Sequence, residues 1–344
     1  MNQHVRGFFE LSSGRGHWAP ALRVGAGIAA PLLVMVLLGR LDLTVYVIFG
    51  ALTGVFGRAE SHRLRFRHLG SAGVLMGVSV IGGAAASLAG TGPWAVVLAG
   101  TALAGTFSVL SDRLGLRPAG PFFFLFAFTT TAGVPFAGPL WEAALAVVGS
   151  VVTAVALGLA GTVTGPRWDP PLPYGPLPWS AMLLRAARYA LAVSLAGAVA
   201  TSLGLGHHNW AMLAATAPLA AAGLAGRLNR AAHNVVGTYA GVGLSAALLT
   251  VDWTPLQLAL LLALLQFAGE VYAVRHHSLS MVFMTPVALM MTGFVVSVPA
   301  HRLVFDRVVE TTIGAAVAVA LVLATERAVR RARRVLEPGR PSAP

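Results

Sequence analysis

Two stretches decide how this chain folds: residues 44–77, TVYVIFGALTGVFGRAESHRLRFRHLGSAGVLMG, and residues 208–241, HNWAMLAATAPLAAAGLAGRLNRAAHNVVGTYAG. They align at a fixed offset of 164 residues, which sets Tyr46 against Trp210, Arg63 against Arg227, Gly73 against Gly237 and Gly77 against Gly241. Each reads as a short helix led by an aromatic residue, then a basic turn, then a longer helix carrying G-x-x-x-G. That motif lets two membrane helices bring their backbones close, so the glycines are read as packing residues and not as ligands. One such motif is a weak signal. Two of them, in register with an arginine and an aromatic, mark an internal repeat.

Composition supplies the environment. Of 344 residues, 56% are hydrophobic and 10% are charged, where soluble domains carry about 25% charged residues. This excludes a soluble enzyme, a disordered regulator and a free nucleic-acid binder. Lysine is absent, so all 24 basic residues are arginine, and the net charge is +12. The arginines fall in short clusters between apolar runs, as topology signals do, rather than on a nucleic-acid-binding face. With no cysteine, disulfides, thiolate-held metals and thiol chemistry are excluded. Residues 1–20 show no apolar core followed by a cleavage site, so the first apolar run is expected to be the first membrane helix.

A spanning helix needs about 20 apolar residues. Twelve candidate spans follow: 20–39, 44–57, 69–90, 94–111, 119–137 and 140–162, then 182–203, 209–224, 233–251, 254–274, 279–299 and 303–325. The second and eighth are short and read as tilted, broken or re-entrant. With the N-terminus inside, 21 arginines fall on the cytoplasmic side and only Arg40, Arg302 and Arg307 fall outside, in keeping with the positive-inside rule. The expectation is an all-α integral membrane protein of about twelve transmembrane helices in two parallel six-helix repeats, with both termini cytoplasmic. The first repeat covers 1–163 and the second 181–326. Between them lies a linker over 164–180 with six prolines, which cannot sustain a helix. A basic tail covers 327–344. Parallel repeats of this kind serve transporters, whose sites lie at the repeat interface near the membrane midplane.

The residues Trp210-Ala211-Met212-Leu213, Arg227-Leu228-Asn229-Arg230 and Gly237-Thr238-Tyr239-Ala240-Gly241 resemble the core motif of the fusaric acid resistance (FUSC) family of aromatic acid exporters, distantly akin to malate channels. Arg307-Val308-Val309-Glu310-Thr311-Thr312-Ile313-Gly314 resembles that family's closing pattern. The resemblance implies export of small organic anions, often aromatic carboxylates, from the cytoplasm of a bacterium across its plasma (inner) membrane, with a homodimer as a plausible assembly. Larger members carry a sizeable soluble domain after a six-helix block. Here only the proline linker and a short tail stand in its place.

Candidate transport residues follow from the chemistry of moving an anion. Arg63 and Arg227 at matched positions either anchor topology or form a vestibule that concentrates anions. Tyr46 and Trp210 either mark the membrane boundary or stack on an aromatic substrate. The run Phe122 to Phe128 reads as lipid-facing or core. The hydroxyls Thr129 and Thr130 after it bond back to their own helix or line a polar path, and Thr285-Pro286 is expected to break the eleventh helix, freeing a carbonyl for a neighbour or a ligand. Intramembrane acids are costly and each is a functional hypothesis. Glu310 and Glu270 are therefore candidates for proton coupling, although Arg307 lies three residues from Glu310 and pairing alone accounts for both. Glu142 suits the start of the sixth helix. The pairs His207-His208 and His276-His277 cannot share a helix face, so no metal site is expected. No cofactor is expected either, and no catalytic constellation or ATP-binding motif is present. Lipid and the transported anion are the expected partners, with no nucleic acid. The reading is a proton-driven exporter and not an enzyme. The rivals are an anion channel and a non-transporting scaffold for an envelope enzyme.

Overall fold

The computed structural model describes residues 18–58, 60–160, 177–273, 275–293 and 299–336. Residues 164–176 of the expected linker and 337–344 of the expected tail lie outside these. The described residues form helices and no strand. The first half contributes α1 (Trp18–Leu37), α2 (Thr44–Ala51), α3 (His62–Leu88), α4 (Pro93–Leu114), α5 (Phe122–Gly133) and α6 (Leu140–Ala160). The second contributes α7 (Trp179–Ser202), α8 (Asn209–Thr216), α9 (Gly223–Leu248), α10 (Pro255–Ala273), α11 (His277–Gly293) and α12 (Ala300–Leu336).

Among the described residues seven helices, α1, α3, α4, α6, α7, α10 and α12, are long and apolar enough to cross a membrane. The protein is therefore a multi-pass membrane protein. α9 has the length, at 26 residues, but its first turns carry Arg227, Asn229, Arg230, His233 and Asn234. α5 and α11 are apolar but shorter. α2 and α8 differ most from the expected spans, because each is eight residues long. At 1.5 Å per residue that is about 12 Å, against about 30 Å of hydrocarbon. Each is prolonged only by a 3-10 turn, Leu52–Val55 and Pro218–Ala220. Gly57 and Gly223, both with φ of +68°, then redirect the chain, a backbone shape that side chains disfavour.

Two further boundaries differ from expectation. Pro286 does not break α11, which runs on to Gly293. The last helix outruns its expected span of 303–325, continuing through Leu336 for 37 residues in all. The reason lies in the sequence ERAVRRARRVL, residues 326–336, which holds good helix formers and no breaker before Pro338.

Neighbour relations recur from half to half. α3 packs on α5 and α6, as α9 packs on α11 and α12. α2 lies between α1 and α6, as α8 lies between α7 and α12. Across the halves, α4 packs on α7 and α1 packs on α10. The tightest approaches are glycine contacts. A Cβ on Gly50 would lie 2.7 Å from the Val147 carbonyl oxygen and 2.8 Å from Ser150 Cβ; one on Gly314 would lie 2.3 Å from the Ala211 carbonyl oxygen and 2.7 Å from Ala214 Cβ. Gly50 with Ser150 and Ala214 with Gly314 are one contact at the 164-residue offset, with the glycine on opposite partners. Of the G-x-x-x-G glycines, Gly73 meets Val151 of α6, while Gly237 and Gly241 meet Ser278, Met281 and Thr285 of α11. Gly77 has open space around it.

The short α5 is fixed by its phenylalanines. Phe126 meets Phe49 edge-on with centroids 4.9 Å apart, and Phe124 stacks on Phe56 at 5.6 Å. Such pairs add about 0.5–1.5 kcal/mol each beyond burial.

The glycine contacts make a direct prediction. Gly314→Leu forces α12 away from α8 and costs about 1–3 kcal/mol, the usual scale of overpacking. Gly77→Ala leaves stability unchanged or slightly raised. Thermal unfolding of purified protein, read by loss of the monodisperse peak, separates the two.

Candidate functional site

Because α2 and α8 stop inside the protein, space opens where they end. A cavity of about 870 Å³ lies between the halves, bordered by both short helices. The first half supplies an aromatic wall, Phe122, Phe123 and Phe126 of α5 with Phe49 of α2. α11, which holds the place of α5 in the second half, supplies Met281, Met284 and Met291 instead. Thioether side chains adapt to irregular apolar shapes and contact aromatic rings favourably.

Both halves supply charge, Arg58, Glu60 and Arg117 from the first and Arg230, Glu270 and Arg307 from the second. The Arg307 guanidinium carbon sits 5.1 Å from the Trp210 ring centroid, within cation–π range. His207 stacks on the same ring, centroids 4.5 Å apart and planes 11° from parallel. Its Nδ1 lies 3.0 Å from an Asp306 carboxylate oxygen, and its backbone N–H donates to Glu310 Oε1 at 3.0 Å. Among the described residues no ion pair joins Arg307 to Glu310. Arg307 Nε and Glu310 Oε2 are both buried without a hydrogen-bond partner. The Thr311 hydroxyl, also on the cavity wall, is likewise unpaired.

Arg230 lines the cavity at its other end, beyond the 3-10 turn that follows α8, with Nε unpaired. Nearby, Arg58 forms an ion pair with the buried carboxylate of Glu270. Gln266 Nε2 donates to Glu270 Oε1 at 3.0 Å. Glu60 and His68 form a second lining pair at 2.6 Å. Tyr189 of α7 lies beneath the loop between α4 and α5. There Gly120 (φ +94°) passes so close that a Cβ would stand 2.8 Å from the tyrosine oxygen.

Of the candidates named from sequence, Trp210 and Glu270 line the cavity. Arg63 is exposed near the start of α3, and Arg227 donates to the Ala221 carbonyl at 3.2 Å; neither lines it. Tyr46 is fully buried against Phe136, ring centroids 5.1 Å apart, with its hydroxyl unpaired. Thr129 and Thr285 bond back to the carbonyls of Leu125 and Met281, both at 2.8 Å. The Thr130 hydroxyl is buried without a partner, and none of the three threonines lines the cavity. Glu310 stands one turn from Arg307 in the His207–Asp306 cluster. Glu142 pairs with Arg40, which also holds Asp42.

The sequence reading missed Arg230, Arg58 and the phenylalanine wall. Arg58 carried one available signal, since it follows the first short helix and its 3-10 turn within a turn. The partly exposed faces of Phe122, Phe123 and Phe126 turn to the cavity, not to lipid.

Residues 177–321 match the family model described as fusaric acid resistance protein-like, which supports assigning the chain to that family. The match spans α7 to most of α12, and so contains Trp210, Arg230, Glu270 and Arg307. No curated protein matches, and no solved structure matches. The family points to a membrane transporter.

Tyr46→Phe tests the separation of Tyr46 from the site. A buried hydroxyl without a partner costs about 1–3 kcal/mol of desolvation. The variant is therefore expected to unfold at the same or a higher temperature than the parent, with unchanged affinity for any ligand of the cavity.

Proposed function

Because residues 177–321 match the fusaric acid resistance protein-like family model, we propose that the chain exports small organic anions, aromatic carboxylates in particular, through the cavity between its halves. One observation carries the proposal: Arg307, with no carboxylate bonded to it among the described residues, lies against the face of Trp210 in a cavity walled by phenylalanine and methionine. A guanidinium grips a carboxylate through paired N–H donors, while the rings and thioethers take the apolar body. Arg230 at the other end of the cavity offers a second cation. The anion then moves between two attractive stations without either being a trap.

In this reading the two halves are parallel six-helix repeats, supported by the recurring neighbour relations and by the 164-residue offset at the Gly50–Ser150 and Ala214–Gly314 contacts. The Arg-rich ends face the cytoplasm of a bacterial cell, so Arg230 belongs to the inner end of the cavity and Arg307 to the outer. The chain does no chemistry on its cargo. Coupling to the proton gradient is assigned to Glu310. Its free oxygen lies in a cluster with Asp306 and His207, directly behind Arg307, where loss or gain of a proton changes the field felt by a bound carboxylate.

The test is uptake of benzoate and salicylate, against acetate and malate, into inside-out vesicles with and without an imposed pH gradient. Concentrative uptake of the aromatic acids that needs the gradient is expected. A hydrogen bond to a charged group contributes about 1.5–3 kcal/mol, so Arg307→Ala should lower uptake about 10- to 100-fold. Arg63→Ala should leave it unchanged. Glu310→Gln should keep downhill exchange and abolish the dependence on pH gradient. Full uptake in Arg307→Ala at normal abundance would remove the site. Flux that only follows the anion's own gradient would make the protein a channel.

A further inference from the structure

In each half the fourth helix ends in a buried carboxylate, and in each case its partner is an arginine of the opposite half. Asp112 lies in the last turn of α4, with a side chain only 3% exposed, and Arg185 Nη1 of α7 reaches it at 2.8 Å. Glu270 lies in the last turn of α10, 2% exposed, and is paired with Arg58 from the turn after α2. A third contact spans the same seam as the first: the Arg113 guanidinium stands 4.1 Å from the Trp179 ring centroid. All three join the halves at the ends where α4 and α10 stop and α7 begins.

The charged clusters at the opposite end are built differently. Arg40 binds Asp42 and Glu142, all in the first half. His207 contacts Asp306 and Glu310, all in the second. Parting the halves there breaks none of these bonds. Parting them at the α4 and α10 ends breaks both ion pairs and strips buried carboxylates of their cations.

The two pairs are not equivalent toward the cavity. Arg58 and Glu270 line it, while Asp112 and Arg185 do not. Arg58 is oriented independently of its carboxylate partner, donating from Nε to the Val55 carbonyl at 3.2 Å. Glu270 keeps the Gln266 amide on its other oxygen. A carboxylate arriving in the cavity can therefore take the guanidinium from Glu270 without leaving Arg58 unpaired. The Glu270 carboxylate, still bonded to Gln266, is then released from the opposite half, and what still joins Arg58 to residue 270 is the weaker 3.4 Å contact from its Nη1 to the Glu270 backbone carbonyl. Exchange of one carboxylate for another is cheaper than rupture, because the buried cation stays paired and the remaining cost is that of the displaced Glu270 carboxylate, held by Gln266 alone.

We propose that Arg58 is a binding residue for the carboxylate of the transported anion, held by Glu270 in the empty protein. In this role the Arg58–Glu270 and Arg185–Asp112 pairs form a latch that closes the cavity toward the Arg-rich side until an anion displaces Glu270. The anion's identity rests on the transport reading above, but the latch does not. Glu270 is thereby an internal competitor that sets how strongly an anion must bind before the halves part.

Two readouts keep the latch and the transport reading apart. The chain has no cysteine, so Ala217→Cys, on the cavity wall, gives a single thiol. Its labelling by a membrane-impermeant maleimide is followed in inside-out vesicles with no ligand present. Adding Glu270→Gln with Asp112→Asn should speed labelling at least tenfold. The exchanged pair Arg58→Glu with Glu270→Arg should restore the slow rate. Asp112→Asn alone is nearly isosteric and leaves no buried anion unpaired, so it should give an intermediate rate even where the double variant does not fold. Unchanged labelling in monodisperse Asp112→Asn and double-variant protein would overturn the latch. Benzoate titration into purified protein is the second readout. Glu270→Gln should tighten binding about tenfold and Arg58→Gln should weaken it. Weakening in both would overturn the competitor role of Glu270. Binding of no carboxylate by any version would sink the transport reading and with it the role of Arg58 toward an anion, while the labelling rates still judge the latch.

Discussion

Hydrocarbon offers no hydrogen bonds, and a helix of eight residues has four unpaired N–H groups at one end and four unpaired carbonyls at the other. Neither α2 nor α8 can stand in lipid, and neither does. Every residue of α2 is buried, as is Trp210 to Thr216 of α8. The long helices are the enclosure these two require. α1 and α6 flank one, α7 and α12 flank the other, and glycine at Gly50 and Gly314 brings backbones to within touching distance. Where the short helices stop, protein cannot fill the remaining depth of the bilayer with straight helix, and the cavity is what remains.

Much of this architecture was legible in the sequence for definite reasons. Hydropathy located the long helices, and the 164-residue offset located the two short ones with their aromatic leaders. The boundaries that moved did so because local chemistry outvoted composition. The run from Glu326 to Leu336 is charged yet holds mostly Arg, Ala, Glu and Leu with no Gly or Pro, so α12 continues. Pro286 is tolerated inside α11 because the helix is supported by α9 and α10 on either side.

The site was harder to see, and the reason is instructive. An offset search finds what two stretches of sequence share, and the shared Arg63 and Arg227 do not line the cavity. The cavity is lined by residues at which the two halves differ. Phe66 stands where the second half has Arg230, and Ala143 stands where it has Arg307. The first half therefore brings the phenylalanine rings with Arg58 and Arg117, and the second brings Trp210, the methionines, Arg230 and Arg307. On a single helix the spacing of Arg307 and Glu310 suggests a pair. Only the fold shows that Trp210 and His207, from the turn before α8 and its first residues, take those two groups in separate directions.

The length of α12 carries a mechanical consequence. Arg307 stands beside Trp210 near one end of this helix, and the helix runs unbroken to Leu336. A rod rising 1.5 Å per residue amplifies small rotations, and a tilt of about 10° at Arg307 sweeps its far tip through roughly 8 Å. The far tip is thus a pointer for events at the Arg307 end of the cavity. Movement there becomes a displacement large enough for lipid headgroups or a fluorescent label to register.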